Sequence, residues 1–145
     1  MKPIKEFKGE YRWLSNFWPT AGGFCVENHY QAAKSTDPNE RHLIITAASP
    51  GEAKKMGRRI LHLDPLWDQK KIGVMQQLVF RKFTTDPVLA QKLLNTGSEY
   101  LEEGNNWGDT FWGTCNGEGS NHLGVILMAT REYLWFYKAL TKDFA

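Results

Sequence analysis

The apolar and polar positions of this chain follow a helical period over most of its length. Proline marks where the helices begin. Asp37-Pro38, Asp64-Pro65 and Asp86-Pro87 each join a good N-cap to a proline at the first helical position. Ser49-Pro50-Gly51-Glu52 adds a capping box in which Glu52 reaches back to the Ser49 amide. The spacing predicts helices over 26–35, 38–48, 50–61, 65–83 and 87–95. A last helix over 121–140 follows from Leu123, Ile126, Leu127, Thr130 and Leu134, with Leu123, Leu127, Leu134 and Tyr137 turned inward. Strand signals are weak and lie outside this block, at 10–14, 22–26, 100–102 and 110–112. The predicted architecture is α+β, predominantly α-helical, with a few short strands. No linker, repeat or composition break divides it, so residues 1–145 read as one compact domain.

One helix breaks the usual pattern. Glu27, Tyr30, Gln31 and Lys34 fall at i, i+3, i+4 and i+7, on one face, with Ala32 and Ala33 beside them. A core-facing stripe at this spacing would be aliphatic, and a solvent face has little use for a tyrosine and two alanines. A helix lining a pocket accounts for the pattern. The alternative is an exposed helix carrying a paired Glu27 and Lys34.

Composition changes the picture at one point. Charged and apolar contents are ordinary, but six tryptophans (13, 18, 67, 107, 112 and 135) are many for 145 residues. Indoles line ligand pockets as well as fill cores. A net charge of +2 gives no case for bulk nucleic-acid or membrane binding. The basic pairs Lys54-Lys55, Arg58-Arg59, Lys70-Lys71 and Arg81-Lys82 read mainly as solvated faces, a few of them available to a phosphate. Cys25 and Cys115 fit no metal spacing, and neither do the four histidines, of which His29 faces away from the polar stripe. No signal peptide is read at the start and no apolar run is long enough to span a bilayer, so the expected setting is reduced and cytoplasmic.

Three loop segments hold further chemistry. In Glu102 to Gly113, turn formers alternate with Trp107, Phe111 and Trp112, and Asp109 lies between the rings. Its carboxyl either has its acidity tuned there or caps local amides while the rings plug the core. In Tyr11 to Pro19, Arg12 has a fork suited to phosphate or carboxylate, flanked by rings that could stack on a heterocycle or simply plug the core. The Gly-rich run Asn116 to Gly124 leads into the last helix, whose free amides could hold an anion.

Taken in order, these pieces resemble the NADAR (YbiA-like) family. The matching motifs are Leu14-Ser15-Asn16-Phe17, Glu27-x-x-Tyr30-Gln31-Ala32-x-Lys34, Ala53-Lys54-x-x-Gly57-Arg58, Trp67-x-x-x-Lys71-x-x-x-Met75 with Lys82-Phe83, and Leu94-x-Thr96-Gly97. Then come Glu103-Gly104-Asn105-x-Trp107-x-Asp109-x-Phe111-Trp112-Gly113, Gly119-x-Asn121-x-Leu123-Gly124 and Leu127-Met128-x-x-Arg131. A departure falls at Thr114-Cys115-Asn116, where the family pattern is more glycine-like.

The resemblance implies a single YbiA-like domain and an N-glycosidase that needs no cofactor or metal. Its substrate is a small ribosyl or ADP-ribosyl compound: a phosphoribosylamino pyrimidine intermediate of riboflavin synthesis, or ADP-ribose on guanine, with ADP-ribosylated nucleic acid a further candidate. It implies that Glu27, Lys34 and Asp109 are catalytic and that Trp67 and Trp112 border the substrate. Substrate binding also falls to Arg12, Ser15, Asn16, Phe17 and Tyr30 from the first half of the chain. Lys71, Met75, Trp107, Gly113 and Asn121 complete the set.

These residues could run the chemistry. Cleavage needs a proton for the leaving nitrogen and stabilisation of positive charge at C1. Lys34 could instead trap C1 of an opened ribose as a Schiff base. That requires its pKa to fall near 7, about 4–5 kcal/mol of differential destabilisation of the ammonium. Burial would supply it and an ionised Glu27 would oppose it. Seven residues of helix set the two backbones roughly 10 Å apart, so the side chains can flank a sugar. Glu27 then acts as acid or base while Asp109 orients hydroxyls or activates water, or the two exchange roles. A non-catalytic ADP-ribose or nucleotide module and a purely structural helical domain are the competing readings.

Overall fold

A computed structural model describes residues 2–141. Among them, a 3-10 helix at Gly9–Leu14 precedes α1 (Val26–Ala33), α2 (Pro38–Ile45), α3 (Pro50–Gly57), α4 (Trp67–Thr85) and α5 (Pro87–Asn95). Two short strands, β1 (Gly104–Asn105) and β2 (Thr114–Cys115), then lead to α6 (His122–Thr141). The fold is α+β and predominantly helical, as expected. Local capping explains the starts. Asp37 accepts from the Asn39 and Glu40 amides, Ser49 from Glu52 and Asp86 from Leu89. The box at Ser49 is half formed, because the Glu52 carboxylate pairs with Lys55 at 3.7 Å. Pro65 lies two residues before α4: Asp64 folds a turn by accepting from the Leu66 amide and holds Lys70 at 2.7 Å.

The strand expectations are corrected. Residues 10–14 belong to the 3-10 helix, and neither 22–26 nor 110–112 forms a strand. Leu101 makes only an isolated bridge with Ile4. The real ladder pairs Gly104 with Thr114 and Asn105 with Cys115, in parallel. It is held by distant partners, since the Gly104 amide donates to the Lys5 carbonyl and the Thr114 amide to that of Glu103.

α4, α5 and α6 pack on one another around Met75, Val79, Phe83, Leu93, Leu101 and Leu127, and α1 closes this core with Val26 and Tyr30. A smaller cluster of Ala32, Ile44 and Ala53 joins α1 to α2 and α3. Small residues are required there. A Cβ at Gly57 would collide with the Gln31 side chain, so α3 approaches α1 this closely only with glycine. Asn28, on the same side of α1, donates to the Ile44, Ile45 and Ala47 carbonyls and ends α2 earlier than periodicity predicts. On α6, Leu123, Leu127 and Leu134 are buried, but Tyr137 is 55% exposed and stacks on Tyr133, contrary to its expected inward place.

Of the Arg81-Lys82 pair, Arg81 is exposed as expected but Lys82 is not on a solvated face. Lys82 is 1% exposed, and its amine donates at 2.8 Å to the carbonyls of both Trp13 and Ser15. Burial lowers its pKa to about 7. A neutral amine has two N–H bonds, matching the two carbonyls. Lys82 therefore ties α4 to the loop that carries Ser15, Asn16 and Phe17. Lys82→Met leaves both carbonyls without that donor and is expected to cost about 2–4 kcal/mol, readable as a lower urea midpoint at unchanged m-value.

Candidate active site

The polar stripe of α1 faces a cavity of about 460 Å³. Glu27, Tyr30, Gln31 and Lys34 form one wall, and Ser15, Asn16, Phe17 and Met75 extend it. Asp109, Trp107 and Trp112 face them, with Glu103, Lys8 and Lys54 completing the rim. The exposed, ion-paired alternative for α1 fails on two counts. Glu27 is 7% exposed. Its carboxylate accepts from Gln31 Nε2 at 2.8 Å rather than pairing with Lys34. A second hollow of about 590 Å³, between the N-terminal segment and α5, gathers none of the expected site residues.

Each charged group has its own support. The loop before α1 sits over the helix start, with the Glu27 amide and the Cys25 thiol both donating to the Asn16 carbonyl. Burial pushes the Glu27 carboxyl upward. Asp109 adds to this, while the Gln31 hydrogen bond, Lys54 and Lys34 oppose it. Burial also lowers Lys34, helped by Arg58, Lys71 and Lys54 and opposed by Glu27. Those three cations act in the sense a free amine needs, and burial outweighs Glu27. Asp109 Oδ1 accepts the Phe111 and Trp112 amides at 3.1 and 2.9 Å. The carboxylate thus shapes its own turn, which explains why 110–112 is not a strand. Its backbone is clamped by Asn105, whose amide donates to the Asp109 carbonyl at 2.8 Å and accepts from the Asp109 N–H at 3.0 Å.

The rings form a connected wall. Tyr30 meets Trp67 at 5.2 Å and Trp112 at 5.5 Å, both edge to face. Burial drives the Tyr30 phenol upward, keeping it a neutral donor. Trp67 does not line the cavity: it is 8% exposed and backs Tyr30 from behind. Four more expected contacts lie outside the lining. Arg12 places its guanidinium over Trp18 at 5.1 Å, and Lys71 lies 4.1 Å from the Phe111 ring centre and pairs with Asp68. Gly113 and Asn121 support the loop beneath Glu103. At the start of α6 the His122 and Leu123 amides, expected to be free for an anion, are taken: they donate to the Phe111 and Trp112 carbonyls. His29 is structural, bonded through Nδ1 to the Cys25 carbonyl and packed on Phe24.

The sequence does not single out Glu103 as a site residue: it falls in the Glu102 to Gly113 segment and opens a family motif, and nothing local shows that the loop folds it into the cavity. Lys8 carries no signal in the sequence, and Lys54 belongs to a basic pair and a family motif that point to no site role.

The chain is similar to known proteins over most of its length. The NADAR domain family matches residues 5–135, and the chain belongs to that family. Among its relatives, the N-glycosidase Npun_R5314 of Nostoc punctiforme is 41% identical over 132 residues, spanning 86% of this chain and 80% of that protein. The N-glycosidase YbiA of Escherichia coli K12 is 36% identical over 119 residues, 81% and 71% of the two chains. The chloroplastic riboflavin biosynthesis protein PYRR of Zea mays is 38% identical over 128 residues, which cover 79% of this chain but 19% of that protein. The NMR structure of E. coli YbiA superposes with a TM-score of 0.83 at 33% identity, covering 96% of this chain and 89% of YbiA. No helix among the described residues is long and apolar enough to cross a membrane.

Proposed function

We propose that residues 1–145 form one catalytic domain that hydrolyses the bond between ribose C1 and a nitrogen. The chain is a hydrolase acting on N-glycosyl bonds, as its relatives named N-glycosidase are. The observation that carries the reading is the convergence of Glu27, Asp109 and a lysine of lowered pKa on one ring-walled cavity. A simple binding pocket has no use for an amine held toward its neutral form. The substrate is a ribosylated base, either ADP-ribosyl-guanine of a nucleotide or nucleic acid, or a phosphoribosylamino pyrimidine. Relatives named for riboflavin biosynthesis support the second, and the shared ribose leaves room for both.

In this mechanism Lys34 attacks C1 of the opened ribose and holds it as a Schiff base until water releases the sugar. Glu27 serves as acid or base on the sugar, and Asp109 orients ribose hydroxyls or activates the water, the two being interchangeable on present geometry. Phe17, Trp107 and Trp112 offer planar surfaces to the base. Free Cys25 and Cys115 fit a reducing, cytoplasmic setting.

The test is a side-by-side hydrolysis assay on ADP-ribosyl-guanosine, an ADP-ribosylated DNA oligonucleotide and a phosphoribosylamino pyrimidine. Release of free base or free pyrimidine amine from at least one is expected. Binding without hydrolysis of any would replace the enzyme by a nucleotide-binding module.

A further inference from the structure

Glu103 shares the cavity with Glu27 and Asp109, and four residues fix where its carboxyl lies. Asn105 Nδ2 donates to Glu103 Oε2 at 3.2 Å while also holding the Asp109 backbone carbonyl at 2.8 Å, so one amide ties the Glu103 carboxyl to the loop that carries Asp109. Asn121 Oδ1 accepts the Glu103 N–H at 2.9 Å, and the Thr114 N–H donates to the Glu103 carbonyl at 2.9 Å. Gly113 lies directly under the carboxyl, where any Cβ would strike Glu103 Oε2. A spacer carboxyl pointing into solvent would need none of these supports. They also explain why Gly113 and Asn121 carry a motif without touching the cavity.

Resting on the N-glycosidase reading, we propose that Glu103 is the proton donor to the leaving nitrogen. As the C1–N bond breaks, its electron pair stays on nitrogen, which takes the Glu103 proton. C1 is captured directly by water, or by the Lys34 amine in an adduct that water then hydrolyses to free the sugar and the amine. In either case the proton shed by the water returns to Glu103. The net reaction adds one water across the C1–N bond. Glu27 and Asp109 are then free to act on the sugar and the water.

The protonation state fits the role. Burial raises Glu103 to about 7, with Asp109 adding to the shift and Asn105, Lys54 and Lys8 opposing it. Glu27 and Lys34 face it across the cavity from α1. A donor with a pKa near the working pH is both loaded and able to release.

The experiment compares wild type with Glu103→Gln on two substrates: the N-ribosyl compound the enzyme cleaves, and a nitrophenyl riboside whose leaving group departs without a proton. Expected for Glu103→Gln is a loss of about 10²–10⁴-fold in kcat on the first and less than about tenfold on the second. Wild type should also show an alkaline fall of kcat/KM near pH 7, reporting loss of the donor's proton in the free enzyme, and Glu103→Gln should lack it. Thermal unfolding of the variant at pH 6 checks the fold. Equal losses on both substrates, loss on neither, or an alkaline limb that persists would each overturn the proposal. A wild-type protein that cleaves no N-ribosyl compound overturns the underlying reading as well, a result seen before any variant is made.

Discussion

Lys34→Ala is expected to lose turnover on the order of 10³-fold or more and to form no borohydride-trapped adduct. The wild-type protein, mixed with its substrate and borohydride, should gain the mass of one reduced ribosyl unit at Lys34. The pKa environment gives the reason. The amine lies 5.6 Å from the Tyr30 ring centre, with burial, Arg58, Lys71 and Lys54 all favouring loss of its proton. Adduct yield should therefore rise with pH as the amine deprotonates, and level off below the range of an ordinary lysine. The control is Lys54→Ala. Lys54 also lines the cavity, but its amine lies over the Phe17 and Trp107 rings, at 5.9 and 5.7 Å. That variant should still form the adduct at Lys34, with the rise in yield moved to higher pH because one cation that favours the free amine is gone. Undiminished turnover by a folded Lys34→Ala protein would remove the Schiff base and leave direct attack of water at C1.

What could be read from the chain, and what could not, divides by how local the cause is. Asp37, Ser49 and Asp86 cap helices through amides two or three residues away, so three of the Pro-marked starts are visible in the sequence. The α1 stripe is equally local, because helical geometry alone puts Glu27, Tyr30, Gln31 and Lys34 on one face. The ladder of β1 and β2 is two residues long and depends on the Lys5 carbonyl, far away in sequence. Lys82 finds its acceptors at Trp13 and Ser15, so nothing in the neighbouring Arg81 or Phe83 reveals that it is buried. Glu103 is similar. Its acidity depends on a loop that returns through Asn105 and Gly113 and on a helix start at Asn121, none of it a periodic signal. Trp67 resembles a pocket wall in the motif, yet Tyr30 stands between it and the cavity.

Glu27→Gln should lower kcat by about 10²–10⁴-fold with little change in KM, as for a group that works mainly in the transition state. The substitution keeps the shape of the side chain, and the new amide oxygen can still accept from Gln31 Nε2, so the α1 wall should persist. Stability should move the other way. Because burial raises the Glu27 pKa, the folded protein holds that proton more tightly than the unfolded chain does. The Glu27 contribution to stability is therefore highest below the ordinary carboxyl pKa and falls as pH rises through the folded one. Removing the carboxyl removes that loss. The Tm of Glu27→Gln relative to wild type should consequently be higher at pH 8 than at pH 4.5, in the same protein that has lost its activity. A buried carboxylate that weakens the fold while supporting turnover marks a functional group rather than a structural one. A variant with kcat within threefold of wild type would leave the acid–base work to Asp109 and Glu103, and a Tm difference unchanged with pH would mean that Glu27 is not desolvated in solution.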